Sequence, residues 1–372
     1  MKILVTGGAG FIGSFLVDEL IKKGHAVRIL DNLEPQVHHQ GNIPPYLNKS
    51  AEFIKGDVRD KDTITKAIMD IDVVFHLAAM VGVGQSMYQI NRYMDVNTLG
   101  TATLLDSIVN SNNNIKKIVV ASSMSAYGEG SYTCEKCGMV EPGLRENEQM
   151  EKNDFNVYCP KCKSVLKPLP TKEEKKQDIN SVYALSKMDQ ELMVLNIGKS
   201  YGIPSVALRY FNVYGPRQSL SNPYTGVAAI FMSRIKNNNP PLIFEDGNQS
   251  RDFVSVHDIT SANILAMEKQ AANYGAFNVG SGRQITIKEV SETLSKLYGE
   301  KANPSITGKF RKGDVRHCFA DISRIKDKLE FNPKVTFEEG ARELINWSKD
   351  VTAIDKVEHA TNELKDKGLF HN

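Results

Sequence analysis

A glycine-rich turn near the N-terminus constrains the fold of this chain more than any other feature of its sequence. Residues 6–13 read Thr-Gly-Gly-Ala-Gly-Phe-Ile-Gly; they follow an apolar, β-branched run at 2–6 and open a helical pattern at 11–23. In dinucleotide-binding folds, glycines at such a turn let the backbone approach a pyrophosphate, which the N–H groups at the start of the helix bind. A purely structural turn is the alternative. The strand–turn–helix order favours a parallel α/β sheet that binds a dinucleotide.

Short β-branched runs and helical patterns alternate along the first half of the chain. The predicted strands lie at 2–6, 26–30, 52–55, 72–77, 116–121 and 204–211, and the predicted helices lie at 11–23, 60–69, 88–109 and 182–200. This alternation is typical of a parallel sheet with helices on both faces. We therefore predict an α/β fold, a Rossmann-type doubly wound parallel sheet, over residues 1–211, interrupted by an insert at 129–178.

The pattern changes after residue 212, where the elements become shorter and Pro and Gly become more frequent. We predict that residues 212–372 form mainly a smaller α/β lobe that binds the substrate, and that part of this lobe packs back on the Rossmann domain. From Phe337 onward the pattern is helical, and we expect it to end in a charged tail.

An acidic residue stands where a dinucleotide-binding domain needs one. Asp31 ends the second predicted strand, eighteen residues after Gly13. A carboxylate there accepts hydrogen bonds from the adenosine ribose and repels a 2′-phosphate, which favours NAD over NADP. Asp57 and Val58, after the third strand, would lie beside the adenine, although a plain strand end also explains them. The predicted cofactor-binding residues are Gly7, Gly10, Phe11, Ile12, Gly13, Asp31, Asn32, Asp57, Val58, Leu77, Ala78, Ala79, Tyr183 and Lys187.

Three residues form a candidate catalytic set. Tyr183 and Lys187 are four residues apart in a predicted helix and share a face, and Ser123 follows the fifth strand, at a sheet edge where ligands bind in open α/β folds. Tyrosine has an ordinary pKa of about 10, so we expect the Lys187 ammonium and a cationic nicotinamide to favour the phenolate. Ser123 would hold the reacting hydroxyl against the Tyr183 oxygen. A solvated helix face is the alternative for the Tyr and Lys taken alone.

Four cysteines in the insert have the spacing of a zinc site. Cys134 and Cys137 form one Cys-x-x-Cys pair, Cys159 and Cys162 form another, and 21 residues separate the two pairs. Such pairs bind one Zn²⁺ tetrahedrally in zinc ribbons, and four thiolates leave no open position for a catalytic water. We therefore predict an inserted zinc ribbon with a structural metal, and two disulfides are the alternative. Cys318 lacks a partner and is predicted to be a small buried residue.

The chain resembles the extended short-chain dehydrogenase/reductase family that modifies nucleotide sugars, over almost its whole length. The resemblance is carried by Thr6 to Gly13, Asp31-Asn32, Phe75 to Ala79, Asn97, Ser123, Tyr183, Lys187, Leu208 to Arg217, Arg251 to Val254 and Gly313 to Arg316. It implies that Ser123 and Tyr183 contact the sugar. It also implies that Asn212, Arg251 and Arg311 contact the nucleotide diphosphate, for which a planar guanidinium is suited. A surface charge is the alternative for each arginine alone.

The resemblance further implies that the reaction opens with oxidation of the sugar C4 hydroxyl by NAD. The run Ser123-Met124-Ser125-Ala126 lacks the carboxylate that dehydratases and decarboxylases of the family place there. Elimination of water is hard without an acid and a base near C5 and C6. We therefore predict an NAD-dependent nucleotide-sugar 4-epimerase, an isomerase that regenerates its NAD in each cycle. A 4,6-dehydratase with acids from elsewhere in the chain, or a 4-reductase, is the alternative.

The insert resembles that of bacterial dTDP-L-rhamnose 4-epimerases in its cysteine pairs and in the runs at 128–132, 142–145 and 168–171. This resemblance implies dTDP-L-rhamnose as the substrate and dTDP-6-deoxy-L-talose as the product. The predicted helices at 88–109 and 182–200 correspond to helices that pair in related enzymes, which implies a homodimer.

Charge and hydropathy argue against other kinds of partner. Lys and Arg total 46 and Asp and Glu total 44, so nothing favours nucleic acid or a membrane surface. No apolar run reaches the ~18 residues of a spanning helix and the start lacks the pattern of a secretory signal, so we expect a cytoplasmic protein. A more distant alternative is a non-catalytic NAD-binding module whose zinc ribbon is an interaction surface; the complete set of Ser123, Tyr183 and Lys187 argues against it.

Overall fold

The computed structural model describes residues 1–299 and 303–371. Its strands are β1 (Lys2–Thr6), β2 (Ala26–Asp31), β3 (Glu52–Lys55), β4 (Val73–His76), β5 (Lys117–Ser123), β6 (Ser131–Cys134), β7 (Gly138–Val140), β8 (Lys167–Leu169), β9 (Ser205–Tyr210), β10 (Asn212–Tyr214), β11 (Leu242–Ile243), β12 (Ser250–Arg251), β13 (Phe253–Ser255), β14 (Gly275–Val279), β15 (Ile285–Thr286), β16 (Ser305–Ile306), β17 (Phe310–Arg311), β18 (His317–Cys318) and β19 (Phe370–His371). Its α-helices are α1 (Phe11–Lys22), α2 (Lys61–Ala67), α3 (Val83–Ser86), α4 (Ile90–Tyr93), α5 (Gly100–Asn110), α6 (Asn147–Met150), α7 (Val182–Tyr201), α8 (Val227–Lys236), α9 (Val256–Glu268), α10 (Ile287–Tyr298), α11 (Ser323–Leu329), α12 (Phe337–Ser348) and α13 (Val357–Asp366).

Seven parallel strands form the central sheet, in the order β14-β9-β5-β4-β1-β2-β3. The chain runs outward from β1 to β3 and then crosses to β4 on the other side of β1. This reversal opens a crevice at the carboxyl ends of β1 and β4, where ligands bind in doubly wound sheets. The predicted Rossmann-type parallel sheet is therefore confirmed.

Helices cover both faces of the sheet because its central strands are apolar on both sides. β5 is buried along its whole length, as expected for a strand in the middle of a parallel sheet. Val119 faces a core shared with α1 and α9, and Val120 faces a second core shared with α2, α5 and α7. Each residue in β5 thus packs against one helical layer or the other.

A third core lies in the second lobe, among α8, α10 and α12, and includes Phe231, Val290 and Leu344. α10 and α12 each begin with a capping box, in which a threonine and the glutamate three residues later satisfy free N–H groups at the helix start. The chain then leaves and rejoins the central sheet: α9 packs on α1, and β14 adds to β9.

Two regions differ from the sequence-based expectation. The helix expected over 88–109 consists of α4, a π-helical segment Met94–Leu99 and α5. The charged tail expected at the end of the chain is wrong, because 357–366 form α13 and β19 pairs with β17. The reason is apolar: Phe370 is buried and its ring packs against Phe244. Among the helices of residues 1–299 and 303–371, none combines the length and apolarity needed to cross a bilayer.

Candidate active site

A cavity of about 610 Å³ lies at the carboxyl ends of the central strands and extends into the second lobe. It brings together the residues that the sequence predicts for the cofactor, for catalysis and for the substrate. Of these, the cavity is lined by Gly7, Gly10, Phe11, Ile12, Gly13, Asp31, Asn32, Val58, Leu77, Ala78, Ala79, Ser123, Tyr183, Lys187, Asn212, Arg251 and Arg311. Asp57 is the one predicted residue of these three sets that does not line it.

The glycine turn has the geometry of a phosphate cradle. Gly7 has φ +71°, and a Cβ on it would lie 2.8 Å from the backbone nitrogen of Ala78. A Cβ on Gly13 would lie 2.2 Å from the carbonyl oxygen of Gly7, so only glycine lets α1 approach β1 this closely. Gly10 caps α1 without a side-chain hydrogen bond, which leaves the first N–H groups of a twelve-residue helix free for an anion. These features fit the diphosphate of NAD.

Asp31 braces the same turn. Its carboxylate accepts hydrogen bonds from the backbone N–H groups of Ala9 at 3.0 Å and Leu33 at 2.9 Å. Burial raises the pKa of Asp31, and the hydrogen bond from Leu33 opposes this rise. The residue therefore has a structural task in addition to the predicted contact with ribose.

Asp57 lies just outside the cavity. It accepts a hydrogen bond from Asn32 Nδ2 at 3.0 Å and pairs with Arg59 at 2.8 Å. The hydrogen bond from Arg59 lowers the pKa of Asp57 to about 2. Asp57 thus supports Asn32 at the rim, whereas its neighbour Val58 reaches the cavity itself.

The catalytic set is held by three elements. Ser123 ends β5, and Tyr183 lies in the first turn of α7, which begins where the Ser181 side chain accepts from Ala184 N–H. The backbone N–H of Tyr183 donates to Ser86 Oγ of α3 at 3.0 Å. The structure therefore brings Ser123 and Tyr183 to one wall of the cavity, although 59 residues of chain separate them.

The pKa of the tyrosine differs from the expectation for the protein on its own. Desolvation raises the pKa of Tyr183, and a hydrogen bond with Ser123 opposes the rise. Lys187 does not contribute to lowering it, because burial lowers the pKa of Lys187 itself to about 7. The phenolate therefore needs a further positive charge, such as the cationic nicotinamide of bound NAD.

A buried polar network positions Lys187, and sequence reasoning missed most of it. Lys187 Nζ donates to Gln190 Oε1 at 2.6 Å, and Gln190 Nε2 donates to Thr101 Oγ1 at 2.8 Å. His76 bonds Thr101 at 2.9 Å on one side and Thr6 at 2.8 Å on the other. The chain of contacts joins the catalytic helix to the glycine turn through α5 and β4. Because its members come from four separate elements, no local spacing could have indicated it.

The substrate end of the cavity carries an unused acceptor and two engaged arginines. Asn212 Oδ1 is buried without a hydrogen-bond partner, which suits a ligand that donates to it. Arg251 donates to the carbonyls of Ser250 at 2.8 Å and Val315 at 2.5 Å. Arg311 pairs with Asp314 at 3.0 Å. Both guanidiniums are thus held in place beside the cavity, where they could bind a diphosphate.

The four insert cysteines form a compact cluster. Their sulfur atoms all lie within 4.8 Å of one another, and none is in a disulfide. Each pair is followed by a residue with positive φ, Gly138 at +72° and Lys163 at +60°. These tight turns, with the antiparallel sheet β7-β6-β8, bring the two pairs together. Cys318 lies apart from this cluster and is fully buried, as expected.

The insert is joined to the second lobe by buried charges. Arg145 forms a bidentate pair with Glu245, with distances of 2.8 and 2.9 Å, and both side chains are at most 2% exposed. Arg316 shares Glu245 at 2.8 Å. Arg145 also donates to the carbonyl of Asp314, the residue that pairs with Arg311. The sequence showed that these residues are charged, but it did not indicate that they pair.

Comparisons with known proteins agree with this geometry. The NAD dependent epimerase/dehydratase family model matches residues 3–147, and the GDP-mannose 4,6 dehydratase model matches residues 165–344. The chain is 34% identical to the dTDP-L-rhamnose 4-epimerase of Burkholderia thailandensis, over 93% of this chain and 94% of the relative.

Two solved structures are similar over nearly their whole length. The UDP-glucose 4-epimerase of Thermotoga maritima, with UDP-glucose, has a TM-score of 0.77 and 32% identity, covering 94% of this chain and 99% of that one. The UDP-glucuronic acid 4-epimerase of Bacillus cereus, in complex with UDP-glucuronic acid and NAD, has a TM-score of 0.74 and 28% identity, covering 95% and 100%. This chain therefore belongs to the NAD-dependent epimerase/dehydratase family and is an NAD-dependent nucleotide-sugar epimerase of the extended short-chain dehydrogenase/reductase type.

Proposed function

We propose that this enzyme interconverts dTDP-L-rhamnose and dTDP-6-deoxy-L-talose by transient oxidation at C4. One observation carries the reaction type: Ser123, Tyr183 and Lys187 line the same cavity as the glycine turn, with no carboxylate beside them. The choice of sugar is supported by the likeness to the Burkholderia relative and by the cysteine-bearing insert.

The acids of the cavity argue against a dehydratase. Among the described residues, the lining carboxylates are Asp31 and Glu34, near the glycine turn, and Asp314, which pairs with Arg311. None is beside Ser123 or Tyr183 to remove a proton from C5 or protonate a leaving hydroxyl at C6. A 4,6-elimination needs both groups, whereas a 4-epimerisation needs only the C4 machinery.

Each predicted site residue then has one task. Tyr183 Oη takes the proton from O4 and later returns it, while Ser123 holds O4 in reach of the phenol. Bound NAD supplies reversible hydride transfer at C4. Asn212, Arg251 and Arg311 hold the diphosphate, so that the 4-keto sugar can turn over without leaving the site. Hydride and proton both return to the sugar, and the cycle is redox-neutral.

The test follows products by proton NMR in D₂O without added NAD, using dTDP-L-rhamnose, UDP-glucose and UDP-glucuronate. We expect dTDP-L-rhamnose to give its C4 epimer without deuterium. Tyr183→Phe should lower kcat by about 100-fold or more while NAD stays bound, since general acid–base groups contribute on this scale. Tyr201→Phe, at the exposed end of the same helix, is the matched control.

Other outcomes would replace the proposal in defined ways. A 4-keto-6-deoxy product with deuterium at C5 would indicate a dehydratase. Turnover of UDP-glucose alone would keep the reaction and change the sugar. Tight NAD binding with no turnover of any nucleotide sugar would indicate a non-catalytic module.

We also propose that the four insert cysteines bind one structural Zn²⁺. Four clustered sulfurs on two tight turns are the donor set of a closed tetrahedral zinc site. Elemental analysis should find about one zinc per chain, and a strong chelator should release it and expose four titratable thiols. Cys134→Ser should lose the metal, while Cys318→Ser should keep it. Two disulfides without metal, found by mass spectrometry, would contradict this assignment.

A further inference from the structure

Residues 350–371, which we name the C-terminal strap, reach from the second lobe across the cavity. The strap follows α12 and consists of an entry without regular secondary structure, then α13 and β19. Its entry is fastened near the end of α8, where Asp355 Oδ2 pairs with Arg234 Nη1 at 3.2 Å and accepts from Asn239 Nδ2 at 2.8 Å. Both charged side chains are at most 10% exposed, so water competes little for this anchor.

The far end of the strap is fastened to the strand that carries Arg311. β19 pairs antiparallel with β17, with Phe370 opposite Arg311, and the N–H of Lys312 donates to the carbonyl of Leu369 at 3.1 Å. Phe370 packs edge-on against Phe244 with ring centroids 5.1 Å apart, and the Arg311 guanidinium lies over the same Phe244 ring. The strap therefore supports the arginine that is predicted to bind the diphosphate.

Between these two anchors, α13 forms one wall of the cavity. Val357, Ala360, Thr361 and Leu364 line it. Leu364 packs against Gly84 in α3, the same short helix whose Ser86 accepts from the backbone of Tyr183. α13 thus begins beside the support of the catalytic tyrosine and leads to the strand of Arg311. A nucleotide sugar with its C4 at Tyr183 and its diphosphate at Arg311 would place its hexose along α13.

The chemistry of this wall suits an uncharged sugar. Three of its four lining side chains are apolar. Glu363, on the same helix, accepts hydrogen bonds from Tyr88 at 3.0 Å and from Tyr224, which lower its pKa and keep it negative. Among the described residues, the cationic side chains that line the cavity are Lys187, Arg251, Arg311 and His38, and none belongs to the strap.

We propose that the C-terminal strap is a specificity-determining element: it admits a neutral hexose with an apolar edge, such as the methyl group of a 6-deoxyhexose, and rejects a hexuronate. Burial of a methyl group against apolar side chains is favourable, whereas a carboxylate there would be desolvated beside a second negative charge. The inference rests on the proposed function, because it requires a nucleotide sugar whose C4 lies at Tyr183.

The test compares kcat/KM for dTDP-L-rhamnose, UDP-glucose and UDP-glucuronate in the wild type and three variants. Leu364→Ala should lower kcat/KM for the preferred neutral sugar about tenfold and leave the Kd of dTDP unchanged, because only the sugar loses a contact. Thr361→Lys adds a cation to the wall and should raise the ratio of hexuronate to neutral sugar about tenfold or more. Asn362→Ala, on the exposed side of α13, should change neither.

Thermal melting and bound NAD verify that each variant is folded, and Thr361→Lys alone decides the question if Leu364→Ala is not. Unchanged sugar ratios in Thr361→Lys would overturn the proposal, as would a wild type that prefers UDP-glucuronate. A wild type that turns over no nucleotide sugar contradicts the proposed function instead. The strap is then tested with the same variants by the Kd of each nucleotide sugar relative to that of its free nucleotide.

Discussion

Two influences act in opposite directions on the Lys187 ammonium. Burial lowers its pKa to about 7, and the nearby Glu191 carboxylate raises it. Gln190 accepts its hydrogen bond and is held in turn by Thr101. The Tyr and Lys spacing in α7 was predictable from four adjacent residues. The protonation balance was not, because it depends on side chains from α5 and β4 that become neighbours only in the fold.

His76 offers a test of this network through acid stability. Burial lowers the pKa of folded His76 to about 3, whereas an unfolded histidine has a pKa of about 6.5. Its contribution to stability is therefore complete above pH 6.5 and is lost as the pH falls toward 3, since only the unfolded chain takes up the proton. At pH 5 the cost is about 2 kcal/mol.

Urea unfolding between pH 7 and pH 5 measures this effect. The free energy of unfolding should fall less steeply with acid in His76→Gln than in the wild type. His359→Gln, at a side chain that is 74% exposed, is the control and should keep the wild-type slope. Equal slopes in His76→Gln and the wild type would show that His76 is protonated in the folded protein.

At the scale of elements, local pattern predicted the strands whose burial is continuous and missed those whose pairing is long-range. β1 to β5 and β9 were located because they are apolar runs between turn signals. β14 and β19 were not located: β14 completes a sheet begun more than 200 residues earlier, and β19 has only two residues. The catalytic, cofactor and cysteine positions were predicted from motifs, while the α13 wall of the cavity carries no motif.

The junction between the insert and the second lobe should transmit damage to the substrate site. Arg145→Met removes both hydrogen bonds to Glu245 and the one to the Asp314 carbonyl. We expect a loss of about 3 kcal/mol in the free energy of unfolding, because a buried carboxylate loses one of its partners. We also expect a higher KM for the nucleotide sugar, since Asp314 pairs with Arg311.

Denaturant titration and steady-state kinetics check both parts. Lys152→Met, at an exposed lysine of the same insert, should leave stability and KM unchanged. Bound NAD should remain at the wild-type level in both variants, because the glycine turn is made by other elements. Loss of NAD with an unchanged KM in Arg145→Met would contradict this account of the junction.

At the scale of the whole molecule, α7 is apolar on two sides. Ala184 and Val194 face the core, whereas Leu185 and Leu192 are 37% and 42% exposed on the outer side. Leu99, beside α5, is 53% exposed as well. A helix with a second apolar side indicates a partner surface, which supports the predicted homodimer through these helices.

Light scattering coupled to size exclusion tests the dimer. The wild type should have about twice the mass of one chain, and Leu192→Arg should have the mass of one chain with NAD still bound, because a buried unpaired charge opposes association. Met139→Arg, at an exposed methionine of the insert, should remain dimeric. A wild type that is monomeric at micromolar concentration would refute the prediction.

The position of β14 has a consequence for synthesis. A chain released from the ribosome after Phe211 would contain the glycine turn, Ser123, Tyr183 and Lys187, but β9 would have no neighbour on its outer side. The exposed edge would present the N–H and C=O groups that β14 normally pairs, along a run of Val206, Ala207 and Leu208. Unprotected apolar edges of this kind seed aggregation. The nascent protein therefore depends on chaperones, or on prompt completion, until about residue 280 has emerged.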